Sequence, residues 1–131
     1  MKQVVDLIHK AGVFHIATID GDHPRVRPFG FIMVFEDKLY FTTGNQKNFY
    51  KQLQKNPNVE ISAMIDNDKW IRLEGCAVFD GSKAAKKQAF EIFPNFEHIY
   101  QSPENPIFEV FYLKNPSATL YSMTGEPQKI L

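Results

Sequence analysis

Asp20-Gly21 stands between two runs that read as strands, VFHIATID before it and a long arm from Arg25 to Phe35 after it. An Asp-Gly pair between such runs signals a tight hairpin, because glycine supplies the left-handed backbone that the turn requires. A chain that opens this way has begun an antiparallel sheet, since parallel neighbours need a crossover of a dozen or more residues. The rest of the pattern agrees. Glu36-Asp37-Lys38 turns the chain into LYFTT, and Asn67-Asp68 joins VEISAMID to KWIRLEGCAVF. In VEISAMID, Val59, Ile61, Ala63 and Ile65 alternate onto one face. Gly75 is read as a bulge, and Pro28 marks an edge, a bulge or a bend, because it removes a backbone donor. IFEVFYL and ATLYS read as the last two strands, linked by Lys114-Asn115-Pro116-Ser117.

Helical spacing interrupts the strands three times. Val4, Val5, Leu7 and Ile8 predict a helix over 2–10, stopped at Gly12; Phe49, Tyr50 and Leu53 predict a second, ended by Asn56-Pro57. Ser82 is read as the N-cap of a third over 83–93. Residues 94–106, with three prolines, read as a loop. The fold class is mainly β (α+β), an antiparallel barrel, closed or nearly so, with short helices at its flanks.

The 131 residues suit a single domain, 1–131. Twelve Phe are many for a small barrel, so some are expected in a ligand pocket or a subunit interface. Fifteen basic residues balance fifteen acidic ones, which argues against nucleic acid or an anionic membrane as partner. With the single cysteine, Cys76, no disulfide framework forms. The first residues show neither a signal peptide nor a spanning segment, so a cytoplasmic location is expected. His9, His15, His23 and His98 have no metal-ligand spacing, and no metal site is expected. Neither Gly-x-Ser-x-Gly nor Gly-x-Gly-x-x-Gly occurs, which excludes the common hydrolase elbow and nicotinamide fingerprint.

Three segments carry candidate chemistry. In PRVRPFGF, residues 24–31, Arg25 and Arg27 share a strand face, and Pro28 frees nearby backbone groups. They are either solvated strand residues or cations beside a flat, electron-rich heterocycle. In FTTGNQKN, residues 41–48, a strand passes through Gly44 into a helix start, where free amides and the helix dipole favour an anion. Thr42, Thr43, Asn45 and Lys47 add donors and charge there; the alternative is an ordinary capping loop with an exposed lysine. WIRLEG, residues 70–75, holds the lone tryptophan, Trp70, which either stacks on a ring or fills core.

In order and spacing over about residues 5–80, these segments resemble the flavin-binding split barrel of the pyridoxamine 5′-phosphate oxidase family. The resemblance implies a split β-barrel, bound FMN and a homodimer with flavin at its interface. Arg25, Arg27, Pro28, Phe29 and Gly30 would then lie along the isoalloxazine and ribityl parts, with Arg27 preferred over Arg25 as the family arginine. Thr42 and Thr43 would lie by the ribityl–phosphate end, with Asn45 close by, and Lys47 would bind the phosphate. Trp70 stands where the oxidases place a glutamine that reaches the flavin from the second subunit. The chain ends GEPQKIL, without the oxidases' C-terminal tryptophan and arginine, and Gly30 or nearby apolar residues replace their substrate lysine. The compact form looks closer to nitroimidazole-reductase-like and general-stress-protein-like members than to a vitamin B6 oxidase. The implied function is an FMN-dependent oxidoreductase passing hydride or electrons from NADH or NADPH to a small electron-poor acceptor. That acceptor would lie near Phe29, Trp70 or the 94–106 segment, and no side chain is nominated as acid or base. The alternative is a non-catalytic dimer that stores or senses flavin or another planar ligand.

Overall fold

A computed structural model describes all residues, 1–131. Helix α1, Lys2–Ala11, buries Val4, Val5 and Ile8 and stops at Gly12, whose φ of 84° suits glycine. Strands β1, Phe14–Asp20, and β2, His23–Phe29, form the expected hairpin, with Asp20 opposite His23 and Gly21 at φ 66°. Then come β3, Met33–Phe35; β4, Lys38–Gly44; helix α2, Asn48–Lys55; and β5, Asn58–Met64. The chain continues through β6, Lys69–Asp80; helices α3, Lys83–Ile92, and α4, Phe96–Tyr100; β7, Phe108–Ser122; and β8, Gln128–Lys129. Every pairing is antiparallel, in the order β2-β1-β5-β6-β7-β4-β3 with β8 on β7. This is an open antiparallel sheet of the split-barrel kind, and its two end strands are consecutive in the chain.

That adjacency explains the first departure from the sequence reading. The arm from Arg25 to Phe35 is two strands, not one. Residues 30–32 leave the ladder because they carry the chain from one edge of the sheet to the other. Pro28 and Gly30, poor ladder residues, sit where the crossing begins.

Two apolar clusters lie on opposite faces of β4 and β7. Leu39 and Phe41 point into the barrel with Ile8, Phe14, Ile16, Ile61, Ile71 and Phe111. Tyr40 points outward with Ala85, Ala89, Phe90, Phe96, Phe108 and Val110, under α3 and α4. Burial on both faces is why LYFTT reads as one apolar run rather than an alternation. Ser82 caps α3 as expected, its hydroxyl accepting from the Ala85 amide at 3.1 Å.

Three further expectations change. The 94–106 loop contains α4, because Phe96 and Tyr100, four apart, bury one face while Pro94, Pro103 and Pro106 stay outside the helix. The last two strands are one continuous β7. Asn115 and Pro116 together oppose Gly75, and Asn115 absorbs the irregularity at φ 53°, a conformation asparagine tolerates. A bulge falls at Gly75, but the extra residue is on β7 rather than on β6; an added Cβ at Gly75 would stand 3.0 Å from the Leu113 Cβ. Strand β8 was not expected. No helix is long and apolar enough to cross a membrane.

Candidate functional site

At the split, three segments enclose a cavity of about 420 Å³. The crossing supplies Pro28, Phe29, Gly30 and Phe31; β4 and the loop after it supply Thr42, Thr43 and Lys47; and the α4 segment supplies Phe93, Phe96, Ile99 and Tyr100. Phe31 packs edge-on against Phe96 with centroids 5.1 Å apart, so the crossing and α4 meet directly.

The middle segment is polar and incomplete. Thr43 is 3% exposed, and its hydroxyl oxygen is buried without a hydrogen-bond partner. An unmade bond of this kind costs about 1–3 kcal/mol, so the fold tolerates it where a ligand can repay it. Four residues on, the backbone of Lys47 caps α2 without any side-chain capping bond, and the first turn holds no acidic residue. The helix end, an exposed lysine and a buried hydroxyl together favour an anion such as a phosphate.

Of the residues nominated from the sequence, Pro28, Phe29, Gly30, Thr42, Thr43 and Lys47 line this cavity, and Arg25, Arg27, Asn45 and Trp70 do not. Arg25 is held at the hairpin by Asp20, 3.1 Å away. Arg27 turns under α2. It donates to the Thr18 hydroxyl and the Gln52 carbonyl oxygen, both at 2.7 Å, and its guanidinium lies 4.9 Å from the centre of the Phe49 ring. Thr18 also donates to Gln52 at 2.6 Å, which completes a closed cluster. Burial first, and the nearby Arg25 second, lower the pKa of Arg27. Asn45 ties the β4–α2 loop to the segment before β7, its side-chain amide donating to the Pro106 carbonyl at 2.7 Å and its backbone amide to that of Ile107 at 3.0 Å. Trp70 lies on the outer sheet face, stacked on Tyr121 at 5.7 Å, with Arg72 over the same tyrosine. Spacing placed the arginines on one strand face but could not say that α2 folds over that face.

The aromatic wall was named only as the 94–106 segment, never by residue. Its signal was the four-residue spacing of Phe96 and Tyr100, obscured by the surrounding prolines. A wider hollow of about 590 Å³ lies beside the bulge between β6 and β7, but its rim carries Glu60 and Glu74 beside Lys114 and has no aromatic wall. Two carboxylates disfavour an anion there, so the cavity at the split is the better candidate.

The sequence profile described as pyridoxamine 5′-phosphate oxidase matches residues 1–119. No curated protein sequence matches the chain significantly. Among solved structures, the chain is similar to a NimC/NimA family protein from Clostridium acetobutylicum, 39% identical over 99% of this chain and 90% of that one, with a TM-score of 0.93. It shares its fold with a pyridoxamine 5′-phosphate oxidase-related, FMN-binding protein from Nostoc punctiforme, at 18% identity, 99% and 96% coverage and a TM-score of 0.62. It shares it also with a heme storage protein from Vibrio cholerae, at 18% identity, 92% coverage of both chains and a TM-score of 0.69.

Proposed function

The chain belongs to the pyridoxamine 5′-phosphate oxidase family, and from that premise we propose that it binds FMN in the cavity at the split and works as an FMN-dependent oxidoreductase. The observation that carries this reading is the unpartnered Thr43 hydroxyl, buried beside Lys47 and the start of α2, in a cavity whose far wall is aromatic. A phosphate fits the first end and a flat ring the second. Lys47 would offset the phosphate charge, Thr43 would donate to a phosphate oxygen, and Phe93, Phe96 and Phe31 would keep water from the ring. Bound FMN would supply the chemistry, accepting hydride from a reduced nicotinamide and passing electrons to a small electron-poor acceptor. The cavity holds no carboxylate and no histidine, so the chain's part is position, charge and exclusion of water.

The reading includes a homodimer. The outer sheet face carries Val26, 67% exposed, Met64, 54% exposed, and the Trp70–Tyr121 stack. A second copy covering such apolar surface would remove it from water, and Trp70 would reach a flavin only from that second copy. Light scattering at micromolar concentration tests this, with twice the chain mass expected.

Because a structural neighbour stores heme, haem is the ligand to set against FMN. A haem iron needs an axial ligand, and no His, Cys or Met lines the cavity. Burial raises the Tyr100 pKa, which disfavours the phenolate form a tyrosine ligand requires. The residues therefore favour FMN. Bleaching of bound flavin by NADH or NADPH, and recovery on adding a quinone or nitroaromatic acceptor, tests the oxidoreductase reading. Bound FMN that no donor in a broad panel reduces would leave a flavin-storing or flavin-sensing dimer.

A further inference from the structure

The α4 wall holds one polar side-chain group. Of its cavity residues, Phe93, Phe96 and Ile99 are apolar throughout, while Tyr100 carries a hydroxyl. Tyr100 is 6% exposed, its ring packed 4.8 Å from that of Phe108 and 6.1 Å from that of Phe96. The backbone on either side is tied down. Asn105 donates to the Tyr100 carbonyl at 2.7 Å, and Asn45 joins the β4–α2 loop to Pro106 at the same distance. The side chain therefore stands at a set position relative to Thr43 and Lys47.

The chain's other deeply buried tyrosine shows what a structural phenol does here. Tyr40 donates to Asp80 at 2.7 Å, and burial, that bond and the nearby charge together raise its pKa. For Tyr100, burial alone raises the pKa, with no partner contributing. The Tyr100 hydroxyl makes no hydrogen bond within the chain, and the residue lines a ligand-sized cavity, so a bound ligand is free to accept from it.

We propose that Tyr100 is a ligand-binding residue whose hydroxyl donates to a ring carbonyl or ring nitrogen of the bound cofactor, so that the cavity grips a phosphorylated planar heterocycle at both ends. Lys47 and Thr43 take the phosphate, and Tyr100 fixes the orientation of the ring against Phe96. This rests on the FMN reading above and assigns it a residue on a helix that none of the three candidate segments includes.

The test titrates FMN into wild type, Tyr100→Phe and Lys47→Ala, following affinity and the visible absorption of the bound flavin. Tyr100→Phe is expected to weaken FMN about three- to tenfold, the range of one neutral hydrogen bond, and to shift the visible bands, because the lost bond is to the chromophore. Its thermal midpoint without ligand is expected to equal that of wild type, since the hydroxyl satisfies nothing in the free chain. Lys47→Ala is expected to weaken FMN more and to leave the bands in place. Unshifted bands in Tyr100→Phe overturn the assignment whatever the affinity, and so does a midpoint several degrees lower without ligand. Failure of wild type to bind FMN overturns the functional reading and the assignment with it. Binding by wild type with Tyr100→Phe indistinguishable from it overturns the assignment alone.

Discussion

Two polar clusters touch helix α2, and they differ in whether their hydrogen bonds are closed. Under its barrel-facing side, Arg27, Thr18 and Gln52 satisfy one another, with Phe49 beneath the guanidinium. At its N-terminus, Thr43 is buried without a partner and Lys47 faces no acid in the first turn. The two phenols repeat the contrast, with Tyr40 paired to Asp80 and Tyr100 unpaired in the cavity. Closed clusters hold elements in place. A buried open group such as the Thr43 hydroxyl costs the free chain stability, which a ligand can return. The difference separates the arginine that supports the fold from the groups proposed to hold a cofactor, although all of them come from neighbouring motifs.

Substitutions can break or sharpen that contrast. The largest effect is expected for Arg27→Met, which removes the charge-assisted bonds from β2 to Thr18 and Ile16 on β1 and to Gln52 on α2. It should cost about 2–3 kcal/mol in denaturant unfolding. FMN affinity should change less than in Lys47→Ala, and the opposite order would mean that Arg27 meets the ligand after all. Lys47→Ala itself should weaken FMN about ten- to a hundredfold, from the ~1.5–3 kcal/mol typical of a bond to a charged group, with unliganded stability unchanged. Thr43→Val should weaken FMN about three- to tenfold while leaving the free protein as stable or up to about 1 kcal/mol more so, because the unmade bond is removed. A Thr43→Val protein that unfolds more easily without ligand would place Thr43 among the closed groups.

The smallest effect concerns pH. The Tyr40 pKa is raised in the folded chain, so the stability it contributes is fully present below the ordinary phenol range, about pH 10, and is lost as pH rises beyond it. Tyr40→Phe should flatten the alkaline side of the stability curve, measured by denaturant midpoints from neutral pH up to the strongly alkaline range. An unaltered curve would remove Tyr40 from the closed groups.

Much of the barrel was legible in the sequence because it is written locally. Asp20-Gly21 and Glu36-Asp37 encode turns through the backbone they allow, and Ser82 encodes a cap through its hydroxyl. The break between β2 and β3 was not legible, because it comes from sheet topology: the edges that the crossing joins are set by strands far along the chain. The same limit applies to the site. Thr42, Thr43 and Lys47 fall together because one strand–helix corner carries them. Arg27 and Asn45 have the right chemistry for a ligand, but long-range partners, Gln52 and Pro106, occupy their hydrogen bonds. The aromatic wall comes from α4, whose four-residue spacing was masked by the prolines around it and whose burial also needs contact with Phe31 and Phe108.

The most direct test of the account is an FMN titration of the purified, cofactor-stripped protein, followed by flavin fluorescence. The open cluster at α2 calls for saturable quenching at one FMN per chain, with a raised thermal midpoint once the flavin is bound. No quenching, with a thermal midpoint that FMN leaves unmoved, would contradict it.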